Sequence, residues 1–171
     1  MIVDIDLALK KLNDFLAKEG KALEFVICGG ALIYLSGYNS RPTQDVDVLK
    51  GFNEVLKQAS KDIAEELGIS EKWLNPHVEV FVEYFPEGWE DRVELVRNYS
   101  NLEVFGVSRQ DLISNKLKSL LTREADRQDL ILMKVSREEF DIAVSFVQSF
   151  PSFDAVGKLD VEIIEREIFD E

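Results

Sequence analysis

Two aspartates, Asp45 and Asp47, stand two residues apart in the apolar segment "DVDVLKG". This composition predicts a β-strand, in which both carboxylates share one face with their Cα atoms about 6 to 7 Å apart. Val46 and Val48 then face the core. Neighbouring carboxylates repel each other unless a cation neutralises them, and Mg²⁺ binds one or two carboxylates together with water and phosphate oxygens. The pair therefore indicates a magnesium site, although two solvated acids on an exposed edge strand give the same pattern.

The residues before this pair are of types that bind phosphate. Gly29 and Gly30 end the predicted strand "LEFVIC" and lead into a short predicted helix, where small residues allow a ligand to approach backbone N–H groups. A tight strand-to-helix turn would need the same glycines. Arg41 and Thr43 lie in the polar loop before the aspartates, and Arg41 could bind a phosphate bidentately or pair with a local acid.

A second group of charged residues lies in "DLISNKLKSLLTREADRQDL", at residues 111–130. A leucine stands four residues on either side of Lys116, so its stem runs along the apolar face of a predicted helix. A buried ammonium needs an anionic partner, such as a triphosphate or an acid, whereas a long stem also allows the charge to reach solvent. Asp126 and Asp129 lie three residues apart and could pair with nearby arginines such as Arg123 on the helix surface.

Hydrophobic periodicity and turn residues predict the elements that carry these groups. The predicted strands are apolar runs bounded by turn residues, at 23–28, 45–51, 77–85 and 101–108. The predicted helices have apolar residues at helical spacing or begin with a capping box, and they cover 4–18, 31–37, 52–67, 109–134, 137–150 and 159 onward.

This order of elements predicts an α+β (mixed α/β) fold. Strands and helices mix in the first two-thirds of the chain, and the last third is almost entirely helical. We expect a small mixed sheet with flanking helices in residues 1–107. Residues 108–171 are expected to form a helical C-terminal part packed on that core as one compact unit.

Composition restricts the possible partners. The 171 residues, 46% hydrophobic and 31% charged, are typical of a folded domain. A net charge of −13 repels nucleic-acid backbones and argues against nonspecific DNA binding.

The single cysteine, Cys28, fits a reducing compartment, and there is neither a signal-peptide pattern nor an apolar run of membrane-spanning length. We expect a cytoplasmic protein without membrane association.

Two separated motifs resemble those of the DNA-polymerase-β-like nucleotidyltransferases. The similarity is strongest to the branch of the abortive-infection (AbiEii-type) toxins and related stand-alone bacterial proteins. The stretch at 111–130 is similar to the second motif of that branch, a helical lysine followed by Arg…Asp-x-x-Asp-Leu. The resemblance covers residues 25–132. Its first motif consists, in order and spacing, of Gly29, Gly30, Arg41, Thr43, Asp45 and Asp47.

The resemblance implies a Mg²⁺- or Mn²⁺-dependent enzyme that transfers a nucleoside monophosphate from a nucleoside triphosphate to a hydroxyl. It assigns the metal to Asp45 and Asp47, with Asp45, Asp47, Lys116 and Asp126 as the catalytic residues. Asp126 would act as a base or as the partner of Lys116. Nucleotide binding falls to Gly29, Gly30, Arg41, Thr43, Lys116 and Arg123.

The resemblance also implies partners. The acceptor would be a protein, an RNA end or a small molecule, and a cognate antitoxin-like protein would fit a role in toxin–antitoxin or phage-defence pairs.

One position departs from the family pattern. A third carboxylate is usually found on a neighbouring strand, where this chain offers only Glu79 or Glu83. The alternative function is therefore a catalytically weakened nucleotide-binding or protein-interaction module on the same fold.

Overall fold

The computed structural model describes residues 3–38, 43–120 and 125–169. Its five-stranded mixed sheet and flanking helices confirm the predicted α+β class. The strands are β1 (Leu23–Cys28), β2 (Val46–Lys50), β3 (Leu74–Asn75), β4 (Glu94–Asn98) and β5 (Leu102–Gly106). The α-helices are α1 (Ile5–Lys18), α2 (Gly29–Leu35), α3 (Glu54–Leu67), α4 (Arg109–Leu120), α5 (Ala125–Leu132), α6 (Arg137–Gln148) and α7 (Ala155–Phe169). The 3₁₀-helical segments are His77–Tyr84, which is kinked at Phe81, and Trp89–Arg92.

The chain forms two compact units. The first comprises Met1–Val82 and Arg92–Val107, and so contains the whole sheet with α1 to α3. The second comprises Glu83–Asp91 and Ser108–Glu171, and contains α4 to α7. No helix in the described part of the chain is long and apolar enough to cross a membrane.

The sheet of the first unit has the order β3-β2-β1-β5-β4. Its central strand, β1, pairs antiparallel with β2 and parallel with β5, while β3 runs parallel to β2 and β4 antiparallel to β5. The β1–β2 register sets Cys28 opposite Asp47. The chain therefore leaves β1 and enters α2 beside the second aspartate of the motif.

The first helix confirms the predicted periodicity. Asp4 caps α1 by accepting a hydrogen bond from Leu7 N at 3.0 Å, while Asp6, in the first turn, pairs with Arg97 Nε at 3.0 Å. The buried face of α1 consists of Ile5, Ala8, Leu9, Leu12 and Leu16. This apolar stripe anchors α1 in the core of the first unit.

The prediction of a strand at 77–85 is wrong, because His77–Tyr84 forms a 3₁₀-helix. Alternating valines favour a strand only when one face can be buried, and here Val80 is 72% exposed and Val82 44%. Pro76 begins the helix by accepting a hydrogen bond from Glu79 N at 3.1 Å.

Two strands were not predicted, for different reasons. β3 is only two residues long, and the edge strand β4 shows no alternation of buried and exposed residues that a sequence pattern could reveal. The single helix predicted over 109–134 is described as α4 and α5, and residues 121–124 between them lie outside the described part.

Capping and ion pairing join the helices of the second unit. The predicted capping box of α6 is present, since Glu139 N donates to Ser136 Oγ at 3.3 Å and Ser136 N donates to Glu139 Oε2 at 2.8 Å. Glu139 also accepts from Arg109 Nε at 2.6 Å and from Arg109 Nη2 at 3.3 Å. One carboxylate thus caps α6 and ties it to the start of α4.

Replacing Glu139 with glutamine should destabilise the protein by about 1 kcal/mol at neutral pH, because the ionic part of the Arg109 interaction is lost. The Arg109 hydrogen bond lowers the pKa of Glu139 below its ordinary value of 4.5, partial burial opposes that shift, and the bonds to Ser136 lower the pKa further. A carboxyl group whose pKa is lowered by folding stabilises the protein fully at pH values above its pKa in the unfolded state. This contribution is lost as the pH falls through its pKa in the folded state.

Urea unfolding of both proteins between about pH 7 and about pH 3 measures this contribution, and the two stability curves should converge at the acid end. The exposed neighbour provides a matched control, since Glu138→Gln should shift the stability by less than about 0.5 kcal/mol at any pH. A pH-independent effect of Glu139→Gln would contradict the assignment.

Candidate functional site

The carboxylate of Asp47 lies against the backbone where α2 begins. A Cβ atom built on Gly29 would stand less than 3.0 Å from Asp47 Oδ2, closer than a carbon and an oxygen can approach. Gly29 also has a φ of +69°, a left-handed conformation that other residues adopt only with strain. Two independent constraints therefore require glycine here. They leave one oxygen of Asp47 directly over the Gly29 backbone.

The other carboxylate oxygen of Asp47 faces β3. Asn75 Nδ2 donates to Asp47 Oδ1 at 3.1 Å, and Asn75 Oδ1 accepts from His77 N at 3.1 Å. Asn75 and Asp47 are also Cα partners in the β2–β3 ladder. Asn75 thus orients the aspartate from the side opposite Gly29. Sequence patterns missed Asn75, because the strand that carries it has two residues and no periodicity.

Asp45 and Thr43 complete this part of the first unit. Thr43 Oγ1 donates to the backbone carbonyl of Asp45 at 3.1 Å. A Cβ atom on Gly30 would lie 3.2 Å from Thr43 Oγ1, so the second glycine also serves a close approach. The aspartates are half-buried, whereas Val46 and Val48 are fully buried. This alternation places Asp45 and Asp47 on the face away from the core, in keeping with the predicted strand.

The first unit therefore brings together five of the residues of the first sequence motif: Gly29, Gly30, Thr43, Asp45 and Asp47. Arg41, the sixth, lies outside the described residues.

The third carboxylate is not identified. Glu79 and Glu83 are exposed on the 3₁₀-helix rather than on a strand. Across residues 3–38, 43–120 and 125–169, no three or more His, Cys, Asp and Glu side chains are grouped to hold a metal ion. Metal binding by Asp45 and Asp47, with Glu79 or Glu83 as the third ligand, stays a prediction.

Lys116 and the second-motif acids meet in the second unit. Lys116 Nζ lies 2.6 Å from Asp126 Oδ1 and 2.7 Å from Asp129 Oδ2. Lys116 is 7% exposed and each aspartate 4%. Burial lowers the pKa of Lys116, but the attraction of Asp126 and Asp129 outweighs it, so the pKa is raised and the ammonium stays charged at neutral pH.

This buried cluster joins α4 to α5. Its carboxylates supply the anionic partners that the buried Lys116 ammonium needs. A role of Lys116 or Asp126 in nucleotide transfer stays a prediction. Arg123, the remaining predicted nucleotide-binding residue, falls in the undescribed segment between the two helices.

Comparison with known families identifies the chain more closely. Residues 6–147 match the family described as "Nucleotidyltransferase of unknown function (DUF6036)". The chain belongs to this family. The matched region includes both sequence motifs, whereas comparison with curated proteins and with solved structures gives no significant match. Membership of the AbiEii-type branch stays a prediction.

Gly29→Ala should reduce the free energy of unfolding by more than the left-handed backbone alone explains, because its methyl group meets the Asp47 carboxylate. Gly20 is the matched control, since its φ is +64° and nothing lies within 4 Å of a Cβ placed there. Gly20→Ala should cost about 1 to 2 kcal/mol, and Gly29→Ala at least about 1 kcal/mol more, in urea unfolding.

The excess cost should depend on Asp47. In an Asp47→Ala background, where the clashing carboxylate is absent, Gly29→Ala should cost about as much as Gly20→Ala. An unchanged cost in that background would contradict the contact.

Lys116→Met should destabilise the protein by about 3 to 5 kcal/mol, because it leaves Asp126 and Asp129 buried beside an apolar side chain. Adding Asp126→Asn and Asp129→Asn to that variant should restore part of the loss, since no unpaired buried charge then remains at this cluster. Lys158→Met, an exposed replacement on α7, should leave urea unfolding close to wild type. Equal stability of Lys116→Met and Lys158→Met would show that the cluster contributes nothing.

Proposed function

We propose that the protein transfers a nucleoside monophosphate from a nucleoside triphosphate to an acceptor hydroxyl, with Mg²⁺ or Mn²⁺ held by Asp45 and Asp47. Family membership supports nucleotidyl transfer as the general role. The observation that carries the finer assignment is the placement of the Asp47 carboxylate against the Gly29 backbone at the start of α2.

The donor set of the first unit fits a hard divalent cation. Asp47 on β2 and Asp45, the residue just before β2, offer carboxylate oxygens, the ligands that Mg²⁺ prefers. Asn75 fixes the orientation of Asp47 through Oδ1. The missing side chain at Gly29 lets Oδ2 lie against the backbone, in space that any Cβ would need. A carboxylate that is oriented through one oxygen and held against the start of α2 through the other suits a metal ligand beside that backbone.

The reaction displaces pyrophosphate. The acceptor oxygen bonds to the α-phosphorus, the bond from that phosphorus to the bridging oxygen breaks, pyrophosphate leaves with the electron pair, and the hydroxyl proton is released to water. When bound, the divalent cation offsets negative charge on the triphosphate. Gly29 and Gly30 allow the triphosphate to approach the backbone at the start of α2, and Thr43 braces the segment that carries Asp45.

The acceptor must be compatible with a strongly acidic protein. A net charge of −13 opposes unaided capture of RNA, so we propose a protein or small-molecule acceptor, or an RNA end delivered by a basic partner chain. An antitoxin-like partner of an AbiEii-type toxin would be one such chain.

Transfer should depend on both aspartates. With α-labelled triphosphates, Mg²⁺ and cell extract, the Asp45→Asn/Asp47→Asn variant should transfer label on the order of 100-fold less than wild type, because the metal loses its anionic ligands. Asp62→Asn, which changes an exposed acid on α3, should transfer label like the wild type. Gel and thin-layer analysis of labelled products measures the rates.

Equal transfer by the double variant and the wild type would overturn the assignment of the metal ligands. Mg²⁺-dependent binding of a non-hydrolysable triphosphate, measured by calorimetry and without transfer to any acceptor, would instead support the catalytically weakened module.

A further inference from the structure

A cavity of about 250 Å³ lies beside α3 in the first unit, between that helix and the segment from Glu71 to His77. Pockets for drug-sized ligands usually measure about 300 to 1,000 Å³, so this one suits a smaller molecule. Trp73 fixes its wall, because the buried indole Nε1 donates to the backbone carbonyl of Ser60 on α3 at 3.0 Å. The cavity is therefore held between two secured elements.

The charge of the cavity is opposite to that of the protein. Lys57, Lys61 and Lys72 line it together with one acid, Glu71, which gives its wall a formal charge of +2 in a chain of net charge −13. Lys61 and Lys72 form no ion pair with any described residue, while Lys57 meets only Glu54, at 3.3 Å. A phosphomonoester carries a charge of about −1.5 to −2 at pH 7, which matches this wall better than a single carboxylate does.

Part of the cavity lining is apolar. Phe52, Leu74 and Pro76 contribute to its lining, and Leu74 is fully buried. A lining that contains both apolar and basic residues favours a ligand that combines an organic body with an anionic group, rather than a bare inorganic ion.

One side chain joins the cavity to the candidate site. Asn75 lines the cavity and donates to Asp47 Oδ1 at 3.1 Å. The other carboxylate oxygen of Asp47 lies over Gly29, where the nucleotide is proposed to bind. The two oxygens thus face different neighbours. A ligand bound in the cavity would contact Asn75, which is hydrogen-bonded to Asp47 Oδ1, and would not compete for the Gly29 backbone.

We propose that this cavity binds the acceptor, and that the acceptor is a small hydroxyl compound that carries a phosphate group. Lys57, Lys61 and Lys72 hold the phosphate, and the apolar lining holds the organic body. Its hydroxyl oxygen attacks the α-phosphorus, pyrophosphate leaves with the electron pair of the broken bond, and the proton goes to water. The acceptor role rests on the proposed function, whereas phosphomonoester binding by the cavity does not.

Phenyl phosphate tests the binding site without Mg²⁺ or nucleotide. Titrated into the full ¹⁵N-labelled chain, it should shift the indole N–H signal of Trp73 and bind at least about tenfold more tightly than phenol or inorganic phosphate. The Lys61→Ala/Lys72→Ala variant should bind it at least about tenfold more weakly. Lys10→Ala, which removes an exposed lysine of α1, should leave the affinity unchanged. Because Lys61 and Lys72 are both exposed, the double variant should keep the wild-type melting temperature.

Unchanged affinity in Lys61→Ala/Lys72→Ala, equal binding of phenol, or no binding of phenyl phosphate would overturn the site. None of these results depends on transfer activity, so they are distinct from a failure of the proposed function.

Dephosphorylation of the acceptor tests its class. The small-molecule fraction of the extract is treated with phosphatase, and the phosphatase is then inactivated. The protein and labelled triphosphate are added afterwards. Transfer should fall at least about tenfold relative to a mock-treated fraction. Undiminished transfer to the treated fraction, or transfer confined to the protein or RNA fraction, would overturn the acceptor assignment. Absence of transfer to every untreated fraction would overturn the proposed function instead, with the phenyl phosphate result unaffected.

Discussion

The antiparallel pairing of β1 with β2 determines where Asp47 lies relative to the start of α2. It sets Cys28 opposite Asp47, so the backbone that leaves β1 turns into α2 beside that carboxylate. Side chains alternate along a strand, so a slip of one residue would turn Asp47 into the core and Val48 outward. Burial of Val46 and Val48 opposes such a slip. The apolar valines therefore specify the position of the charged residues between them.

Sequence patterns predicted the elements that obey a single local rule. The face of α1, the capping box of α6 and the outward position of Asp47 each follow from spacing within a few residues. Asn75 obeys no such rule, because only the pairing of two distant strands brings it to the aspartate. The close approach of Gly29 to Asp47 also depends on register. The residue types of the candidate site could thus be read locally, but its geometry required the sheet.

The two motifs handle paired carboxylates in different ways. In the second unit, Asp126 and Asp129 are buried around Lys116 and neutralised from within the protein. In the first unit, Asp45 and Asp47 keep partial exposure, and glycine lets one of them lie against the backbone at the start of α2. A carboxylate pair that is buried with a lysine ammonium serves to hold helices together. A half-exposed pair keeps the capacity to bind a cation from solution. This contrast favours the first motif as the place of the chemistry.

The 3₁₀-helix at His77–Tyr84 has a consequence for the unfolded chain. Its sequence, "HVEVFVEY", has the β-propensity of segments that form intermolecular sheets, and the fold holds it in a helix with its valines largely in contact with water. Little buried surface opposes its conversion to an extended strand. Glu79 and Glu83 interrupt the apolar run with negative charge, as gatekeeper residues do beside aggregation-prone segments. The negative charge of these glutamates therefore opposes pairing between unfolded copies of this segment.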